Sequence, residues 1–346
     1  MFGIYRFILS LLVVAEHSGI NRNEHFDLIS PDYHIGASAV VGFYVLSGYV
    51  MAHSFSRNFD LDIKRTLSFY LDRFLRIYPV YIFLFLAIVI FYVLTRLTPV
   101  DINFNNLISN ITIIPLNLLI FYSTGGNYNI FPDNVRPFGL SFPMPVAPSL
   151  ALEIQFYLVF PFILYYRKLL YSIYPISLII FIFAAAGFIP WWHGYLILPG
   201  TLFIFLSGAV LYEYKNRIGW GSRNYLICSA VLLFLLLVYI VYADKKLGHI
   251  LEVIIGFEFS LAAVYCLSEI KPKYSLDVLL GGLSYPIFLC ANLAKLLPSY
   301  YLKHYGELSL FEKHVYQIIS IILVSLLAYY LVDYNAQKFR KRIQKI

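Results

Sequence analysis

Apolar residues fill this 346-residue chain in blocks of about twenty, the length that crosses a hydrocarbon core, with polar punctuation between them. The blocks run 4–20, 36–55, 77–98, 148–166, 171–189, 195–212, 225–243, 250–268, 279–297 and 314–333, and each predicts a membrane-spanning helix. A further stretch, 107–122, is a poor span because it contains Asn110, Pro115 and Asn117. Charge decides its status, since cytoplasmic loops collect Lys and Arg. With ten crossings and the N-terminus inside, the inner loops hold Arg57, Lys64, Arg65, Arg73, Arg76, Arg167, Lys168, Lys215, Arg217, Arg223, Lys271 and Lys273. The outer loops hold acids such as Glu24, Asp27, Asp32, Asp133, Asp244, Glu307 and Glu312. If 107–122 crossed, every later loop would invert, so it reads as an interfacial or re-entrant piece sheltered by the bundle. The predicted fold is all-α: a polytopic membrane helix bundle of about ten transmembrane helices plus that segment. Residues 1–335 form one membrane domain and 336–346 a basic cytoplasmic tail, with both termini cytoplasmic.

Composition agrees. The chain is 60% hydrophobic, 18% aromatic and 13% charged, with a mean hydropathy of +0.73. Soluble domains carry about 25% charged residues. The formal charge of +7 is spread over alternating loops, so it reads as topology and excludes a nucleic-acid-binding role. The first block lacks the basic start and small-residue cleavage site of a signal peptide. Cys228, Cys266 and Cys290 all fall in apolar runs, predicting buried thiols and no disulfide framework. No HExxH, P-loop, GxSxG or Cys/His cluster is present, so nothing points to a metal, haem or nucleotide hydrolysis.

Four polar constellations interrupt the apolar blocks. Arg6 and His17 share the first; eleven steps of 100° make about three turns plus 20°, so both project from one face about 16 Å apart. Ionisable groups inside a span are costly and mark function by default, although an edge arginine and a core histidine would look the same. Glu16 adjoins His17. Ser149 and Glu153 open the fourth block, four residues apart on one face, with Gln155 and Tyr157 following. They read either as a helix cap or as a carboxylate set at His17's depth to assist a general base. Arg73 and Arg76 lie three apart at the inner mouth of the third block. Paired guanidinium forks suit a phosphate-bearing ligand, or simply lipid headgroups. Small residues Gly36, Ser38, Gly42, Ser47 and Gly48 allow close helix packing or leave a narrow channel.

Taken in order, these segments resemble the acyltransferase-3 family of integral membrane acyltransferases. Arg6-x10-His17 is similar to its first-helix motif, and Gly42-Phe-Tyr-Val-Leu-Ser-Gly-Tyr49 to its FFxLSGF signature. Arg73-Phe-Leu-Arg-Ile-Tyr-Pro79 resembles RxxRIxP, and Ser149-Leu-Ala-Leu-Glu-Ile-Gln-Phe-Tyr-Leu-Val-Phe-Pro161 resembles SLxxExxFYxxxP. Ser284-Tyr-Pro-Ile-Phe-Leu289 resembles the late SYxxYLxH helix. Three positions depart from the pattern: Ala291 stands where the late histidine falls, Pro148 replaces a common tryptophan, and the terminal VExP reads Val332-Asp-Tyr-Asn335. The resemblance implies transfer of an acyl group, most simply acetyl, from cytoplasmic acyl-CoA to a hydroxyl of a cell-surface or exported saccharide, in a bacterial inner membrane. On that expectation His17, as general base, works with Glu153 and Arg6 in catalysis, and the donor is bound by Arg73 and Arg76 at its phosphates and by Arg6 near its pantetheine arm. Acceptor contacts fall to Ser149, Tyr157 and Glu16. No metal is implied, and the oligomeric state is left open. A saccharide or lipid-linked-sugar transporter is the alternative for such a bundle, although no internal repeat appears.

Overall fold

The computed structural model describes residues 1–18, 34–55, 63–95, 104–117, 146–216, 227–228, 230–236, 238–239, 249–270, 275–306 and 308–343. Among these, all regular structure is helical. The helices are α1 (Phe2–Ser18), α2 (Ile35–Phe55), α3 (Ile63–Thr95), α4 (Phe104–Thr112), α5 (Ala147–Tyr165) and α6 (Arg167–Ala185). They continue as α7 (Leu198–Asn216), α8 (Ile250–Glu269), α9 (Ser275–Leu289), α10 (Leu293–Tyr305), α11 (Leu310–Ala328) and α12 (Tyr334–Ile343). Seven helices are long and apolar enough to cross a membrane. Most of the predicted block 225–243 lies outside the described residues.

The bundle is built around α2, the most enclosed of the seven. α1 lies along α2 and α9, while α7 and α8 cover the other sides of α2. Without a hydrophobic drive between helices in lipid, close approach comes from small residues. Gly48 of α2 abuts the Phe205 carbonyl of α7, and Gly208 of α7 abuts the Val45 carbonyl of α2, so any Cβ there would collide with backbone. The glycines of the second block thus serve packing. The outer shell is apolar, with Leu86, Ile90, Phe162, Ile176, Phe259, Ile322 and Leu331 exposed. Cys228 and Cys266 also face outward and only Cys290 is buried, which corrects the expectation of three buried thiols. In a lipid-facing surface an apolar thiol needs no shelter.

Element boundaries differ from the predicted blocks in four places. α3 begins at Ile63, not near 77, because the polar stretch Lys64–Arg76 continues the helix; its 33 residues include Arg73, Arg76 and Pro79. The predicted stretch 107–122, described as far as Asn117, falls in a nine-residue helix, too short to span, that ends where Ile113 adopts a φ of 63°. Its tail shelters against the bundle as such a segment must. Tyr78 and Tyr81 donate to the carbonyls of Thr112 and Asn110, and Gln155 Nε2 donates to Ile114 O and Asn117 Oδ1, both at 2.9 Å. The block at 279–297 breaks at a 3-10 turn, Cys290–Asn292, with Cys290 and Ala291 fully buried. Finally, α11 runs through a π-helical turn, Tyr329–Asp333, into α12, so the tail beyond 336 is helical through Ile343 and docks on α3.

Candidate active site

Two polar clusters lie inside the bundle. The first is a cavity holding about 600 Å³ of empty space, its open mouth included. Arg6 of α1, Tyr44 and Ser47 of α2, Arg76 of α3, Ser149 and Glu153 of α5, and Ser284 and Tyr285 of α9 line it. Glu153 accepts hydrogen bonds from Ser47 Oγ at 2.7 Å and from the hydroxyl of Tyr157, one turn along its own helix. Two cations, Arg6 and Arg76, line the same cavity as that carboxylate. Among the described residues neither Arg6 nor Arg76 makes a hydrogen bond. Tyr285 ties α9 to α3 by donating to Ile77 O at 3.0 Å, and Tyr44 donates to Ser149 O at 3.3 Å. Ser149 Oγ is engaged in its own first turn, donating to Val146 O at 2.7 Å.

Arg73 stands beside this cavity. It is 7% exposed, bonded through Nη2 to Asp72, and flanked by the rings of Phe69 and Tyr157. Its Nε and Nη1 are buried with no hydrogen-bond partner. The cavity therefore concentrates positive charge and unused N–H donors, an arrangement suited to phosphate-like anions.

The second cluster sits at the other end of α1, about 15 Å from Arg6 by helical rise. His34 Nδ1 lies 2.9 Å from Glu16 Oε1, which puts the proton on Nδ1, since a carboxylate only accepts. The backbone N–H of His34 donates to Glu252 Oε1 at 3.1 Å, and Ser38 Oγ donates to the Glu252 backbone carbonyl at 2.8 Å. His249 meets His34 edge-on at 4.6 Å and packs against Trp191 and Tyr195. Burial, followed by the neighbouring His34, lowers the His249 pKa to about 4, with Glu16 opposing. It is therefore neutral at ordinary pH. Glu252 Oε2 and His249 Nδ1 are buried without a partner. His17 is half-buried in the last turn of α1, at this end.

A family model for an acyltransferase domain, acyltransferase-3, matches residues 4–333. The chain belongs to the acyltransferase-3 family. An uncharacterized protein of Aquifex aeolicus (strain VF5) is 33% identical over 196 residues, covering 55% of this chain and 83% of that one. No solved structure matches it significantly.

In this acyltransferase-3 chain the motif residues divide between the two ends. Arg6, Arg76, Glu153 and Ser149 meet in one cavity, with Tyr157 and Arg73 against it. His17 and Glu16 lie at the far end. Glu153 is thus not at His17's depth, as the placement of its helix near the outer face had implied. The reason is the start of α5: Val146, Ala147 and Pro148 are already buried, so the helix opens inside the protein and Glu153 reaches Ser47. α1 and α2 run antiparallel, with Gly36 against Glu16 and Gly42 against Leu9, which puts Ser47 near Arg6's level. Sequence reasoning missed His34, His249, Glu252 and Tyr195 altogether. Glu252 carried a signal, a carboxylate within an apolar block. Tyr44, Ser284 and Tyr285 lay in motif segments but had been assigned no part in the site.

Proposed function

We propose that this membrane acyltransferase moves an acyl group, most simply acetyl, from cytoplasmic acyl-CoA to a hydroxyl of a cell-surface or exported saccharide in a bacterial inner membrane. The observation that carries the reading is the cavity between α1, α2, α3, α5 and α9. There Arg6 and Arg76 line one cavity with the Glu153 carboxylate, and Arg73 beside it keeps its Nε and Nη1 buried and unused. CoA phosphates supply the acceptors such donors lack.

In this reading the phosphates engage Arg73 and Arg76, and the pantetheine arm extends past Arg6 and Ser149. The rise from Arg6 to His17 is about 16 Å, comparable to an extended arm. His17 takes the proton of the acceptor hydroxyl as its oxygen attacks the thioester carbonyl. Collapse of the tetrahedral adduct breaks the C–S bond, and the proton taken by His17 passes to the departing thiolate. Glu153 balances Arg6 and Arg76 at the donor end, so its role is to hold the donor's channel in shape; Glu16 and Tyr157 serve the acceptor and donor ends respectively.

The test is turnover of labelled acetyl-CoA in membranes. His17→Ala should abolish it while the protein accumulates normally, and full activity in that variant would remove His17 from catalysis. Arg76→Ala and Arg73→Ala should raise the apparent KM for acetyl-CoA. Consumption of acetyl-CoA in detergent, without a gradient, separates this reading from a transporter.

A further inference from the structure

Asp72 and Arg73 are neighbours on α3, and neighbours on a helix point about 100° apart. Here they nevertheless meet, with Arg73 Nη2 2.5 Å from Asp72 Oδ2. A third residue explains how. Arg340, far along the chain on α12, grips the same carboxylate with both ends of its fork: Nε to Oδ1 at 2.8 Å and Nη2 to Oδ2 at 3.1 Å. Asp72 is 4% exposed, so this bidentate pair is sheltered from water and fixes the carboxylate's plane. Held that way, Asp72 takes one nitrogen of Arg73 and leaves Nε and Nη1 unpartnered in the interior, between the rings of Phe69 and Tyr157. Unsatisfied buried donors are costly, and a long arginine would normally rotate to reach an acceptor or water. Asp72 and Arg340 remove that freedom.

We propose that Asp72 and Arg340 are positioning residues for the acyl donor. The C-terminal helix, by seating Arg340 on Asp72, sets the guanidinium of Arg73 so that its two remaining donors face the donor's phosphate. The inference rests on the proposed donor role of Arg73, and it adds that α12 is part of the donor site and not only its neighbour. A staple that merely fastened α12 to α3 would account for the ion pair but not for the withheld donors.

The experiment uses the full-length protein in detergent, with acetyl-CoA turnover, CoA binding and thermal unfolding followed together. Arg340→Lys keeps the charge and loses the fork. It should raise KM for acetyl-CoA, and weaken CoA binding, by about tenfold, with kcat retained and the unfolding midpoint little changed. Asp72→Asn should do the same, and the double variant should be no worse than either single one, because both act through Arg73. If Asp72→Asn fails to accumulate, Arg340→Lys and Arg340→Gln decide alone. A lowered unfolding midpoint with unchanged KM in the Arg340 variants would establish a staple and overturn the inference. Arg73→Ala separates the two claims. A raised KM there, with normal KM in the Arg340 variants, overturns this inference and leaves the donor reading standing. An unchanged KM in Arg73→Ala overturns both.

Discussion

Glu153 is the residue on which the cavity turns, because it is the carboxylate lining it together with Arg6 and Arg76. Removing one partner of a buried charge group leaves the others uncompensated, a change that costs several kcal/mol. Glu153→Ala should therefore lower both yield and turnover, whereas Ser47→Ala deletes one donor to the carboxylate and should cost about 1–2 kcal/mol. Thermal unfolding in detergent checks both; a Ser47→Ala midpoint equal to the parent's would mean cavity water replaces the hydroxyl. At the other end His249 makes stability depend on pH. Its folded pKa of about 4 lies below the free value of 6.5, so the unfolded chain binds the proton first. Stability is then full above about pH 6.5 and falls as pH drops toward 4, by about 2 kcal/mol between pH 7.5 and 5. His249→Gln should flatten that part of the unfolding profile, and an unchanged acid slope would assign it to other groups. Legibility at this scale followed the cost of the residue. Arg6, Arg76 and Glu153 stood out as charges in apolar blocks. His34 precedes its helix in a polar stretch, where a histidine costs nothing and carries no signal.

At the scale of elements, hydrophobic blocks located helices well and their ends poorly. The block rule reads where a chain is apolar, yet α3 runs through a charged stretch because Asp72 is bonded by Arg340 of α12 and Arg73 packs against aromatic rings. α5 starts deep because Val146 and Pro148 are buried, and that one offset moved Glu153 from His17's level to Arg6's. The break at Cys290–Asn292 left no mark in an apolar run, since Cys290 and Ala291 are both apolar. The glycine pattern was more informative, and its meaning is testable. Gly48→Ala puts a methyl group against the Phe205 carbonyl, so α2 and α7 must separate, at about 1–3 kcal/mol. Ser47 rides on the same turn and holds Glu153, so turnover should fall along with the unfolding midpoint. A variant that loses stability but keeps full turnover would show that the site tolerates the shift.

For the whole molecule, contacts at one end constrain how many times the chain crosses. The N-terminal ammonium of α1 lies 3.8 Å from Asp277 at the start of α9, and Arg6 feels the charge of Arg73. Arg340 of α12 clasps Asp72, beside that same Arg73. The start of α1 and the end of α12 therefore share one end of the bundle, which demands an even number of crossings. The seven long apolar helices, with α1 and the broken pair α9–α10 each crossing once, make nine. An even count needs one more crossing, and the apolar block 225–243 is where the sequence predicts it. The nine-residue α4 cannot, being about 14 Å long against a core of about 30 Å. By the positive-inside rule, the arginines gathered at this end predict that it faces the cytoplasm. Reporter fusions that are active only in the cytoplasm should accordingly signal from both termini, while a fusion at residue 221 should be cytoplasmic and one at 245 should not. Signals from opposite sides at the two termini would break the parity argument. Equal signals at 221 and 245 would mean that 225–243 does not cross, and the even count would fail.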